Sequence, residues 1–489
     1  MRPLAILIVV LAVSACSTST PQPQASAAPA NAVISITSKS PDAVEHMKKG
    51  EALLVNLRTA EAGAQFAEAL KIDPDFVLAH AYHGQATPGP EGLKEVEAAA
   101  SAASALPDAE RTLVQGLLAT RQGEPAKARE AYAKLVESTP ADWRGHYLLG
   151  TQLLNDEDYA GGVPALRRAV ELDPAAGGAN NMLGYAALRQ GDTEGAIKAF
   201  TDYANALPQE PNPQDSLGEG LLAAGRFDDA EAAFRKALEL SPQFSVAWEG
   251  IAYVKYFAGN AAAAFDALAK EKAAATRPID KLGADELRAV MTIAQKNAAA
   301  GLSLYRDLEK MNDAMPAVVF VPVHRAAILV DLGRSREAIP IVAAAIARAE
   351  SGDLPPGLSR NLLQQALRVR IAAEVATSDA DAAARTAMAL QQQAAERKDD
   401  VNAQTAMHYA LGLAAMEKRD YTGARAHFEQ CLTQDAECRM QIVTASQKAG
   451  DKPGAEAARA AILKLYVRDP VHLWVRSRLQ GNVGNSTTE

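Results

Sequence analysis

The chain is 489 residues long, 48% apolar but only 5% aromatic, and its 59 acidic residues outnumber 50 basic ones for a formal charge of −9. An acidic balance without a basic run argues against nucleic acid as a partner and against electrostatic adhesion to anionic lipid. An alanine-rich, aromatic-poor composition suits close-packed helices and would serve an all-β domain badly; the best period-2 stretch, Ala317 to Val323, is interrupted by Pro322.

The chain begins with Arg2, an apolar run from Leu4 to Val13, and then Val13-Ser14-Ala15-Cys16. A basic start, a short apolar core and small residues ahead of a cut describe an export signal over residues 1–15, and the core is short for a bilayer span. The Val-Ser-Ala-Cys ending resembles the lipobox of bacterial lipoproteins. That resemblance implies that Cys16 becomes the acylated first residue of the mature chain. Ser17, where an aspartate would otherwise stand, implies sorting to the outer membrane, with the protein facing the periplasm. Acyl chains, at ~0.8 kcal/mol per buried methylene, would hold it there. The plainer readings are an ordinary secretory signal with a coincidental cysteine, or a transmembrane anchor. Residues 16–43 then read as a flexible tether, because Ser17 to Ser40 is rich in Ser, Thr, Pro, Gln and Ala and has almost no charge.

From Val44 onward the chain repeats itself. Gly116, Gly150, Gly184 and Gly218 are spaced 34 apart, as are Pro140, Pro174, Pro208 and Pro242. Leu149, Leu183 and Leu217 keep the same step. A small residue follows twelve places after each glycine (Ala128, Gly162, Ala196, Ala230) and a large apolar one four later (Tyr132, Leu166, Phe200, Phe234). This spacing resembles the tetratricopeptide repeat, a helix-turn-helix unit. The resemblance implies an all-α fold, a right-handed superhelical solenoid of antiparallel helix pairs whose concave face is lined by the first helix of each pair. The glycine and the small residue would let two helices cross closely, the aromatic would fill the hollow beside them, and the proline would end the second helix.

Residues 44–270 carry about six and a half such units, with Thr87-Pro88-Gly89-Pro90 cutting one first helix short. The pattern fades over residues 271–400, where helices are expected at Asp285–Lys296, Gly301–Lys310, Ser359–Ala376 and Ala380–Arg397. It returns at Leu411-Gly412, Ala424 and Phe428, so residues 401–470 form a C-terminal repeat block ending at Pro470. Residues 471–489 are expected to be a frayed tail.

Few residues invite chemistry. Cys431 and Cys438 are the thiols left once Cys16 is acylated, and an even pair outside the cytoplasm points to a disulfide across the turn at Gln434-Asp435. On one continuous helix they would be about 10 Å apart, beyond bridging, leaving two buried thiols or a redox or metal role. His80 and His83 are three apart and could share a metal. However, His46, His80 and His146 all fall at the fourth place of their units, where the family resemblance implies a packing residue. No zinc-protease motif, Cys-x-x-Cys pair, phosphate-cradling loop or nucleophile elbow occurs, so neither a cofactor nor an enzymatic reaction is expected.

What stands out is the concave face that the resemblance implies. Its second, fifth, ninth, twelfth and thirteenth first-helix places project onto Arg144, Tyr147, Thr151 and Asn155, then Asn181, Tyr185 and Arg189. They continue with Asn212, Asp215 and Glu219, then Glu249, Tyr253, Tyr256 and Phe257. Aromatic bodies beside charged and amide heads can hold an extended or helical peptide. Alternatively, Tyr253, Tyr256 and Phe257 seal the end of the regular array against the degenerate block. The expected function is a periplasmic scaffold or adaptor lipoprotein whose partners are proteins or peptides in that groove, with the membrane engaged through N-terminal acylation. The alternative is an envelope enzyme or ligand-binding protein with its site in residues 272–397, recognisable by a deep pocket with converging acids.

Overall fold

The computed structural model describes residue 29 and residues 32–310, 316–398 and 400–481. The leader, Cys16 and the last eight residues lie outside them. Among the described residues there are 25 α-helices and no strand, and they form a right-handed superhelical solenoid of antiparallel pairs.

Seven pairs make up the regular block. They are α1 (Pro41–Val55) with α2 (Thr59–Ile72), α3 (Val77–Ala86) with α4 (Gly89–Ala102), and α5 (Asp108–Gln122) with α6 (Pro125–Ser138). Next come α7 (Trp143–Asn155) with α8 (Tyr159–Leu172) and α9 (Gly177–Arg189) with α10 (Thr193–Ala206). The block closes with α11 (Pro211–Ala223) and α12 (Phe227–Leu240), then α13 (Val246–Phe257) and α14 (Ala261–Ala274). The fading region holds three further pairs: α15 (Pro278–Ala294) with α16 (Ala298–Leu308), α17 (Val321–Asp331) with α18 (Ser335–Glu350), and α19 (Pro356–Ala376) with α20 (Ala380–Glu396). The stretch around Ala317 is a 3-10 turn leading into α17. Last are α21 (Val401–Glu417) with α22 (Tyr421–Phe428), α23 (Ala436–Lys448) with α24 (Lys452–Lys464), and a single helix α25 (Pro470–Leu479).

The repeated residues explain the pairing. A Cβ at Gly184 would sit 2.3 Å from Phe200, one at Gly412 2.4 Å from Phe428, and one at Gly50 2.3 Å from Phe66. Each ring therefore occupies the space that a side chain would need, and glycine is the residue that fits. The turn between helices of a pair needs a left-handed residue, supplied by Gly191 and Gly225 at φ 75°. In the preceding unit Glu157 adopts φ 59° at the same place. Asp158 and Asp192, again 34 apart, cap α8 and α10 by accepting the amide N–H of Gly161 and Gly195.

Two stretches expected to be loose are packed. Residues 32–40 carry no helix, yet Ile34 is buried and the segment lies along the starts of α5 and α7. Thr37 donates to both oxygens of Glu110, at 3.0 Å from its amide and 2.7 Å from its hydroxyl. The Ile34 amide donates to Asp142 at 3.0 Å, its carbonyl accepts from Arg144 at 3.0 Å, and the Lys39 amide donates to Asp73 at 2.8 Å. The expected tether therefore stops short of residue 43: residues 41–43 belong to α1, and buried carboxylates accept the backbone amides of Ile34, Thr37 and Lys39. The tail also starts later than residue 471: α25 buries Leu473, Trp474 and Val475.

The superhelix closes on itself. Arg58, just after α1, pairs with Glu210, just before α11, at 2.5 Å, and the Thr433 hydroxyl lies 3.4 Å from both oxygens of Glu157. A core running from Leu221 to Trp474 joins the regular block to the C-terminal one.

Candidate functional site

The first helices of the pairs line the interior of the superhelix, which between α9 and α25 holds a partly open cavity of about 870 Å³. Three of the projected residues face it: Tyr185 and Arg189 from α9 and Glu219 from α11. The Tyr185 hydroxyl donates to Glu219 at 2.8 Å, its ring lies edge-on to Phe200 at 5.2 Å, and Arg189 donates to the Leu154 carbonyl at 3.3 Å. Burial pushes both the Tyr185 hydroxyl and the Glu219 carboxyl upward, so each favours its neutral form.

The next stretch of the projected groove is filled by the chain itself. After α24 the backbone leaves helical geometry over residues 465–469 and crosses the interior before α25. Arg468 on this arm pairs with Asp215 at 3.0 Å and Glu249 at 3.5 Å, and it donates to the Val246 carbonyl at 2.8 Å. Burial alone would lower its pKa. The charges of Asp215, Glu249 and Glu219 outweigh that and hold it well above the ordinary arginine range. Tyr466 lies edge-on to Phe227 at 5.0 Å and Phe257 at 5.3 Å, with the Arg476 guanidinium 4.0 Å over its ring. Trp474 donates to Asp331 at 2.7 Å and Arg478 pairs with the same carboxylate at 2.6 Å, fixing α25 to α17.

The projection thus found the inward positions but not their occupants. Asp215, Glu249 and Phe257 hold the arm. Tyr253 is fully buried and Tyr256 packs against Phe257 at 6.1 Å, so these rings pack as a seal at the end of the regular block. Arg144 is enclosed by Asp142, Glu51 and the Ile34 carbonyl, and is not a groove residue. Tyr147 packs on Trp143 at 6.1 Å, Asn181 is buried, Asn212 donates to the Tyr203 hydroxyl at 3.1 Å, and Asn155 is exposed. The hydroxyl of Thr151 is buried.

The opposite wall comes from the region whose register was lost. Glu286 of α15, Tyr305 of α16, His324 of α17, Asn361 and Arg368 of α19, and Glu437 and Arg439 of α23 all face the cavity. His324 meets Glu286 at 2.9 Å; burial pulls the imidazole down, but that hydrogen bond and charge lift it above its ordinary value. Arg368 pairs with Asp435 and Glu437, both at 2.8 Å, with its guanidinium 4.6 Å over Tyr409. Applying the inward-place rule to α15, α19 and α23 would have reached Glu286, Arg368 and Glu437 but not His324, Asn361 or Arg439, and without periodic glycines the frame could not be set.

Elsewhere, Cys431 and Cys438 form a disulfide that spans the turn between α22 and α23. His80 and His83 share one partner, Glu95 of α4, at 2.9 and 2.8 Å, while His46 meets Gln65 at 2.9 Å, so these rings tie a first helix to its second.

Models of the tetratricopeptide repeat match residues 113–153, 147–211, 214–244 and 405–438. No curated protein matches the chain. A segment of MamA from Desulfovibrio magneticus RS-1 is 19% identical over 35% of this chain and 97% of its own, with a TM-score of 0.32. PilW, a widely conserved type IV pilus biogenesis factor, is 19% identical over 48% of this chain and 94% of its own, at 0.31. YrrB, a TPR protein with an unusual peptide-binding site, is 18% identical over 37% of this chain and 92% of its own, at 0.30.

Proposed function

We propose that this tetratricopeptide-repeat protein is an outer-membrane lipoprotein, anchored through Cys16 and facing the periplasm, that scaffolds protein partners in envelope assembly or secretion. The fold supports a protein-interaction scaffold; the anchor and compartment rest on the leader sequence. The observation that carries the reading is that the array already holds two irregular stretches of backbone, residues 32–40 and 465–469. It binds them with side-chain carboxylates and rings, which is the chemistry that captures a peptide. The linker-like composition between Cys16 and residue 32 would keep the groove near the membrane and raise the local concentration of one partner for another.

The test is cross-linking and affinity purification from native membranes. Tyr185→Ala with Arg189→Glu is expected to lose partners that the wild type retains, and Cys16→Ser to move the protein out of the membrane fraction. Identical partners from both would reject the groove assignment, and a membrane-bound Cys16→Ser would reject the anchor. A second reading, a small-ligand site, is favoured by the wall that Glu286, His324 and Arg368 contribute to the cavity. A small molecule that copurifies in native mass spectra and is lost with Glu286→Ala would select it.

A further inference from the structure

The seat of Arg468 carries more acid than one guanidinium neutralises. Asp215, Glu219, Glu249 and Glu271 surround it, yet only Asp215 and Glu249 come within pairing distance. Three polar atoms there are buried and unpartnered: Asp215 Oδ1, Glu271 Oε2 and the Tyr253 hydroxyl, on residues 6%, 1% and 0% exposed. Buried polar atoms without partners are costly, so the arm satisfies this seat incompletely and can be exchanged at modest cost. The arm also borders open space, since Tyr466, Val467 and Arg468 form one wall of the 870 Å³ cavity. An incoming segment has room to land beside the arm before the arm leaves. Moving residues 465–469 costs α25 its Asp469 cap and the contacts of His472 and Arg476 with the Leu465 carbonyl, but Trp474 and Arg478 still hold that helix to Asp331.

We propose that Tyr466-Val467-Arg468 is an internal stand-in for a partner segment of the same chemistry, an aromatic residue two places before an arginine, and that the partner binds by displacing it. This rests on the scaffold reading and names what its groove accepts. The aromatic side chain takes the slot between Phe227 and Phe257, where edge-on packing favours a flat ring over a branched aliphatic. The guanidinium takes the carboxylate seat, where one oxygen each of Asp215 and Glu249 and the Val246 carbonyl meet three different nitrogens, a spread that suits arginine's fork better than lysine's single ammonium. Until displaced, the arm keeps the acids paired and the groove closed to weaker segments.

The probe is a fluorescent peptide of residues 463–470, Leu-Lys-Leu-Tyr-Val-Arg-Asp-Pro, titrated by anisotropy into the full chain. Against Tyr466→Ala with Arg468→Ala, binding is expected to be at least ten times tighter than against wild type. Adding Asp215→Asn and Glu249→Gln should abolish the gain, as should a peptide carrying Glu in place of its Arg. A double variant that melts close to wild type yet binds no tighter, or binds the Glu peptide equally well, overturns the proposal. If the double variant does not fold, Arg468→Met, which keeps the aliphatic stem, is read by the same two outcomes. In the native-membrane purification, arm variants that leave the partners unchanged while the Tyr185 and Arg189 variant loses them would reject this proposal and leave the scaffold standing.

Discussion

Glu271 shows what the closed interior does to a single residue. It is 1% exposed, one of its oxygens has no partner, and burial beside Glu249 pushes its carboxyl up to about 9. The folded chain therefore keeps a proton that the unfolded chain releases above its ordinary value near 4.5, so this residue's contribution weakens as pH rises from about 4.5 to 9. Glu271→Gln supplies a permanently neutral side chain of the same shape. It is expected to raise stability at pH 8 by about 1–3 kcal/mol, since each tenfold difference in proton affinity is worth about 1.4 kcal/mol, and to change it little at pH 5. Urea unfolding at the two pH values measures this, and a variant less stable than wild type at pH 8 would contradict it. The partners of such residues were not legible in the sequence. Gly184 was, because its reason is local and periodic: a large apolar side chain 16 places on, here Phe200, recurs after Gly50, Gly116, Gly150, Gly218 and Gly412. Nothing periodic links Asp215 to Arg468, which lies 253 places away.

The elements show the same division. Helices with capped starts and glycine turns were readable, whereas residues 32–40 have the composition of a tether and are held by burial of Ile34, by Arg144 and by carboxylates on α5 and on the approaches to α3 and α7. Pro470 misled for a different reason. Proline ends a helix and also opens one, and here it is an early residue of α25 behind the Asp469 cap. The clamp on the N-terminal segment gives a test. Arg144 donates to both oxygens of Asp142, to Glu51 at 3.2 Å and to the Ile34 carbonyl at 3.0 Å, with all three side chains under 10% exposed. Arg144→Ala leaves two buried acids unpaired, a loss expected to cost roughly 3–5 kcal/mol. It should also release the segment, seen as faster hydrogen exchange at the Ile34 amide. Unchanged exchange there would mean that Asp142 and Glu110 hold the segment without Arg144.

At the scale of the molecule, a repeat array is held by contacts between neighbouring pairs, so its pieces would be expected to fold separately. This chain departs from that. Its largest core runs from Leu221 to Trp474, and the arm carries Arg468 from the last pair back to α11 and α13. A fragment ending at Ala274 keeps all seven regular pairs but loses the α14 to α15 interface, the arm and the Thr433 contact. It should remain helical at 20 °C, because pairs α1 to α12 keep the pairs stacked on either side of them. It should also melt well below the full chain: for a piece of this size each 1 kcal/mol is worth roughly 2–4 °C, and several such contacts are gone. Calorimetry of the fragment and the full chain decides the point. Equal melting temperatures would mean that the arm and the α15 interface add little, and that the interior is closed by stacking alone. A drop of about 5 °C or more would place the arm and the α15 interface among the contacts that make the twelve pairs a single cooperative body.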